Sequence, residues 1–278
     1  MYYNGRGVPK DYEKARKWLE NNAYMGNPEV NYALGMMYEN GQGGDKDLKG
    51  AARNFYWAAR QGHKEALERL QAIAEQGYAD APYDLGWMYY NGEGVPQDDT
   101  KAAEWFQKAA EQGNAHAQFN LGVMYANGEG VPQDDTKAIE WYQKAADQGN
   151  ANAQYQLGWM YYNGEGVSQD DTKAIEWYQK AADQGDANAQ YQLGWIYDNG
   201  RGVFENDTTA ARWYQKSAEQ GLADAQYRLG WIYEKGRGVS ADNYKALEWY
   251  EKAAVQGVAM AQEGIDRVKR FTYSYAVP

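Results

Sequence analysis

The sequence predicts an all-α solenoid of stacked helical hairpins, on three observations. A Leu-Gly pair returns at Leu85-Gly86, Leu121-Gly122, Leu157-Gly158, Leu193-Gly194 and Leu229-Gly230, each 36 residues after the last, and so regular a period marks a repeat array. Every period holds two runs in which small and apolar residues recur at helical spacing. Glycine-containing turns separate those runs.

In the first run, helix A, Ala81, Leu85, Met88 and Tyr89 share one face, and Gly86 removes a side chain where another helix can approach. In the second, helix B, Ala102, Trp105, Phe106, Ala109 and Ala110 mix small and large residues, so that rings fit over alanines of a neighbour. Asn91-Gly92-Glu93-Gly94-Val95 supplies positive backbone angles and ends helix A, while Asp98 is placed to cap helix B. Asp11, Asp134, Asp170, Asn206 and Asp242 occupy the same capping position. Gln112-Gly113 closes the shorter turn after helix B.

Taken in order, the chain reads as one repeat domain over residues 1–278. Residues 1–26 are a truncated repeat, because Met1-Tyr2-Tyr3-Asn4-Gly5 superimposes on Met88 to Gly92 at the end of a helix A, as in a chain trimmed upstream. Residues 27–62 form a full unit with Leu34-Gly35 and Tyr38 in helix A and Ala51, Phe55 and Ala58 in helix B. Residues 63–77 then read as a single odd helix, with Ala66, Leu67, Leu70 and Ile73 on its apolar side. Repeats 78–113, 114–149, 150–185, 186–221 and 222–257 follow, and 258–278 is a capping helix and tail, with Ile265-Asp266 in place of Leu-Gly and Arg267, Lys269 and Arg270 on the far side. The tail from Thr272 onward is expected to be extended or frayed.

No cysteine occurs, which removes disulfides, thiol nucleophiles and cysteine metal clusters. A formal charge of −11 disfavours nucleic acid and anionic membrane as partners and favours a basic one. No apolar run approaches the length of a membrane span, so membrane insertion is not expected. Compartment stays open: cytoplasmic for the chain as given, periplasmic or secreted with an upstream leader removed. Oligomeric state is equally open.

The elements AxAQYxLGxxYxxGxGVxxDxxKAxxWYxKAAxQG, for instance from Ala151 to Gly185, resemble the Sel1-like repeat family, a relative of the tetratricopeptide repeats. Leu85, Gly86 and Tyr89 of helix A and Ala102, Phe106 and Ala109 of helix B match the tetratricopeptide pattern, with an A-to-B loop four residues longer and Asn114 where a proline commonly stands. The resemblance implies a right-handed α-superhelix, with A helices lining its concave surface, that serves as an adaptor in protein complexes. It also raises a narrower alternative, a bacterial immunity or regulatory protein that neutralises one toxin. Some Sel1-like proteins carry a cysteine pair per repeat, and this one does not.

Chemistry-bearing motifs are sparse. His63 and His116 are the two histidines and lack zinc-helix spacing, and the paired aspartates such as Asp98-Asp99 fit no calcium loop, so neither a metal nor another cofactor is expected. No phosphate loop or nucleophile elbow is present, and no catalytic residue is assigned. A remote enzymatic reading pairs Asp198 and Glu234 as groove carboxylates acting on cell-wall glycans, with plain glycan binding beside it.

The informative feature is a second stripe on helix A. Asp80, Tyr83, Trp87 and Tyr90 recur at steps of 3, 4 and 3, roughly opposite Leu85, where an exposed helix should be polar. Phe119, Tyr155, Tyr191 and Tyr227 continue the Tyr83 position, and Trp159, Trp195 and Trp231 the Trp87 position. Tyr162 repeats Tyr90, and that position then becomes Asp198 and Glu234. Inside a concave groove these rings would bind a protein or extended peptide; packed against the next helix they would only thicken the solenoid. Trp105, Trp141, Trp177, Trp213 and Trp249 on helix B are expected to cover inter-repeat joints.

Overall fold

The computed structural model describes residues 3, 5, 9–23, 26–78 and 80–274, with side chains to 270. Among them are fifteen α-helices and no strand: α1 (Tyr12–Asn22), α2 (Pro28–Asn40), α3 (Leu48–Arg60), α4 (Lys64–Glu75), α5 (Asp80–Asn91), α6 (Asp99–Glu111), α7 (Ala115–Asn127), α8 (Asp135–Asp147), α9 (Ala151–Asn163), α10 (Asp171–Asp183), α11 (Ala187–Asn199), α12 (Asp207–Glu219), α13 (Ala223–Lys235), α14 (Asn243–Val255) and α15 (Ala259–Ser274). The all-α repeat architecture is therefore as the sequence predicts. Most of the segment matched to Met88–Gly92 at the N-terminus lies outside the described residues.

The helices begin and end where side-chain chemistry dictates. Asp11, Asp98, Asp134, Asp170, Asn206 and Asp242 each accept a backbone N–H three residues on, at 2.9–3.0 Å. Asn114, Asn150 and Asp186 do the same for the A helices of their repeats, so the residue standing in for the tetratricopeptide proline is itself a cap. Each such cap is worth about 1 kcal/mol. Gly92, Gly128, Gly164, Gly200 and Gly236 stop the A helices in the left-handed region, with φ between 64° and 76°.

Two compact units divide the chain, residues 1–145 and 146–278. Within each, the hairpin is locked by one contact: the helix-B ring lies flat on the helix-A glycine. A Cβ built on Gly35, Gly86 or Gly122 would come within 2.5–2.6 Å of Phe55, Phe106 or Tyr142 in the first unit. On Gly158, Gly194 or Gly230 it would come within 2.6–2.8 Å of Tyr178, Tyr214 or Tyr250 in the second. The glycine of the Leu-Gly pair thus lets two helices of one repeat close on an aromatic ring.

A buried glutamine ladder joins successive repeats. In the second unit Gln154, Gln190 and Gln226 donate to the carbonyls of Ala146, Ala182 and Ala218 at 3.1–3.2 Å, and accept in turn from Gln184, Gln220 and Gln256 at 2.7–2.8 Å. In the first unit Gln118 donates to Ala110 in the same way. Four amides that would cost free energy if buried alone are in this way satisfied.

α4 packs on both α3 and α5, with Ala66, Leu70 and Ile73 wholly buried and His63 capping its first turn through Nδ1. At the other end Gly264 of α15 closes on Tyr250, and Ala261, Ile265 and Val268 are buried. Two expectations are corrected there. Arg267 is not left to solvent alone but pairs with Glu234, and the helix continues through Thr272 to Ser274; 275–278 lie outside the described residues.

Candidate functional site

The second stripe of helix A is half-buried rather than sealed or free. In the first unit Tyr83 leans on Phe106 with ring centroids 5.9 Å apart, Trp87 meets Phe106 edge-on at 5.7 Å and Tyr90 at 5.5 Å, and Phe119 lies 5.8 Å from Tyr142. In the second unit Tyr155, Tyr191 and Tyr227 lie 5.6–5.8 Å from Tyr178, Tyr214 and Tyr250. The Tyr83-type rings therefore rest on the helix-B ring of their own repeat. Trp159 is 38% exposed, the most open ring of the stripe, while Trp195 meets Tyr162 edge-on at 5.9 Å and Trp231 is partly buried.

Polar groups frame the rings. Tyr90 donates its hydroxyl to Glu129 at 3.1 Å, and burial together with that carboxylate raises its pKa. In the second unit arginines pair with the carboxylates beside the rings. The Arg201 guanidinium stacks 3.5 Å from the Tyr162 centroid, donates to the Tyr162 carbonyl and pairs with Asp171 at 3.0 Å. Arg237 lies 5.4 Å from Trp231 and pairs with Asp198 at 3.2 Å and Glu205 at 2.6 Å. Tyr162 and the carboxylates are 30 to 39 residues from their arginines in sequence and meet them because repeats stack.

Asp198 and Glu234 are not an acid and base pair. Asp198 is committed to Arg237, and Glu234 takes both donors of Arg267 at 2.7 Å as well as Lys235 and the Tyr250 hydroxyl. Burial would raise the Glu234 pKa, but those donors prevail and hold it down at about 2. A carboxylate so held cannot deliver a proton near neutral pH.

Beside Tyr83 the first unit carries a cavity of about 540 Å³ lined by Tyr78, Asp80, Tyr83 and Asp84, with Lys49 3.6 Å from Asp80. Burial, and then the charge of Asp80, pushes the Asp84 pKa up to about 6. Asp84 thus favours the fold when protonated: that contribution is complete below the ordinary carboxyl value of 3.8 and is lost as pH climbs through about 6. Asp84→Asn is expected to stabilise the protein by roughly 1–3 kcal/mol at pH 8 and to change little at pH 4, as urea denaturation at the two pH values would show.

On helix B, Trp105, Trp141, Trp177, Trp213 and Trp249 are largely covered, each with a lysine ammonium 3.7–4.2 Å from its ring. Among the described residues no group of three His, Cys, Asp or Glu side chains could hold a metal ion, and no helix is long and apolar enough to cross a membrane.

A model of the Sel1 repeat matches residues 1–27, 28–63, 79–114, 115–150, 151–186, 187–222 and 223–258, leaving α4 outside the matched segments. The crystal structure of a protective antigen of uropathogenic Escherichia coli strains, displaying an SLR fold, is 38% identical with a TM-score of 0.69, over 96% of this chain and 54% of that one. This chain thus spans about half the length of that relative. A Sel1 repeat protein from Oxalobacter formigenes is 37% identical with a TM-score of 0.68, over 96% of this chain and 73% of that one. An immunity protein from Pseudomonas aeruginosa is 23% identical with a TM-score of 0.43, over 73% of this chain and 81% of that one, a likeness too slight to carry a functional argument. Comparison with curated proteins returns no match.

Proposed function

The chain belongs to the Sel1 repeat family, and on that premise we propose that it is a non-catalytic scaffold whose helix-A rings bind a protein or extended peptide. The observation that carries this reading is the posture of the rings. Each Tyr83-type ring has one side braced by a helix-B ring and is only partly buried, and Trp159 stands 38% exposed beside them. Braced aromatics offer large apolar area and lose little side-chain entropy on binding, which is the chemistry of hot spots worth about 2 kcal/mol or more apiece.

A basic partner is favoured in the first unit, where Asp80 and Asp84 stand beside Tyr83 in one cavity and could receive a lysine or arginine. The net charge of −11 adds long-range attraction for such a partner. In the second unit Arg201 and Arg237 neutralise the local carboxylates, so recognition there rests on Trp159, Trp195 and Trp231.

The test is the double variant Trp159→Ala/Trp195→Ala. Calorimetry against a partner purified from the native organism is expected to show affinity at least tenfold weaker, with helical circular dichroism retained. Unchanged affinity, or collapse of the fold, would refute the assignment.

A further inference from the structure

In five repeats helix B carries an indole immediately before its core ring, at Trp105, Trp141, Trp177, Trp213 and Trp249. The repeat over residues 27–62 breaks that column. Asn54 stands where the indole belongs, before Phe55, and Trp57 has taken the place of the lysine one turn later. The helix-A residue of the same repeat changes in step: Asn31 occupies the position of Gln118, Gln154, Gln190 and Gln226 and is one methylene shorter than each.

The structure shows the result as a cavity of about 500 Å³ within the first unit, lined by Asn31, Leu34, Tyr38, Asn54, Trp57 and Arg60. That volume lies in the range of small-ligand sites, about 300–1,000 Å³. Its two amides differ from the residues at the same positions of the other repeats. Asn31 is 4% exposed and makes no side-chain hydrogen bond among the described residues, whereas the glutamines at its position all bond a carbonyl. Asn54 is 5% exposed and donates Nδ2 to the Gly50 carbonyl at 2.8 Å. Trp57, 48% exposed, and Tyr38 supply aromatic walls, and the Arg60 guanidinium is fixed over Trp57 at 5.2 Å by its pair with Glu93 at 2.6 Å.

We infer that this cavity is a receptor for a tryptophan side chain presented by a partner, which restores in trans the indole that Asn54 replaced. The ring would lie between Leu34 and Trp57 with its N–H directed to the Asn54 Oδ1 acceptor. This site is separate from the helix-A rings and stands or falls independently of them.

N-acetyl-tryptophanamide serves as the probe, titrated into the full chain while the side-chain amide resonances of Asn31 and Asn54 are followed by NMR. Saturable binding at or below about 1 mM is expected, with both amides shifting, and at least tenfold weaker binding of N-acetyl-leucinamide. Asn54→Trp fills the space with the residue of the other repeats: it is expected to abolish binding and to raise the melting temperature by ~2–4 °C. Asn31→Gln, a milder change that extends an amide into the cavity, is expected to weaken binding at least tenfold and decides the matter if Asn54→Trp does not fold. Absence of saturation below 10 mM in the unaltered protein, or equal binding by the folded variants, would overturn the assignment.

Discussion

Arg267→Ala is expected to lower the stability of residues 146–278 by roughly 3–5 kcal/mol, because it strands a buried carboxylate. The Glu234 side chain is 7% exposed, and both of its oxygens are held by the guanidinium at 2.7 Å. Lys235 and Tyr250 remain as partners, which places the expected loss toward the lower figure. The pH dependence distinguishes this from a packing defect. Glu234, held down at about 2, contributes stability that is complete above its ordinary value of 4.5 and is lost as pH falls through about 2. In the variant that acid-side loss shifts upward in pH. Arg267→Met with Glu234→Gln removes both charges and is expected to recover most of the stability, which a urea series over pH 2 to 7 would measure.

Gly194→Ala is the second large effect. Its Cβ would come within 2.7 Å of the Tyr214 ring, itself wholly buried, so either ring or helix must move. Overpacking of this kind costs about 1–3 kcal/mol. The methyl adds helix propensity, which works in the opposite direction, so a net destabilisation is traceable to the contact itself. Hydrogen exchange should show α11 and α12 losing protection first, since a repeat depends chiefly on its own hairpin and its neighbours. Tyr214→Leu in the Gly194→Ala background is expected to recover part of the loss.

These two cases also show what can be read from the chain in advance. Gly194 is legible, because the Leu-Gly pair and the aromatic of helix B recur in every full repeat and both act inside one hairpin. The caps at Asp98, Asp170 and Asn206 are legible for the same reason: a cap is decided within three residues. The bond between Arg267 and Glu234 is not, since it spans 33 residues and depends on how α15 seats on α13. Arg201 and Arg237 reach Asp171 and Asp207 over 30 residues, so the sequence does not show that these carboxylates are paired. The glutamines at 118, 154, 190 and 226 are visible as a column, yet their role requires the carbonyls of the preceding helix B. Asn54 is equally visible as a gap in the tryptophan column and becomes informative once the cavity it opens is seen.

The helix-A stripe itself divides along physical lines. Tyr83, Tyr155, Tyr191 and Tyr227 each touch the helix-B ring of their repeat, so part of their area is structural. Trp159 keeps the largest free face of the tryptophans on that stripe. Binding energy from this surface is therefore expected to concentrate at the indoles, with the tyrosines acting as supports.

Site-specific photo-crosslinking measures this most directly. A benzophenone amino acid is placed singly at Trp159, at Trp195, and at the exposed helix-B positions Glu176 and Arg212. Crosslinks to a bound protein from 159 and 195, with none from 176 and 212, are the predicted result. Crosslinks confined to 176 and 212 would contradict it and move the docking face to the B helices.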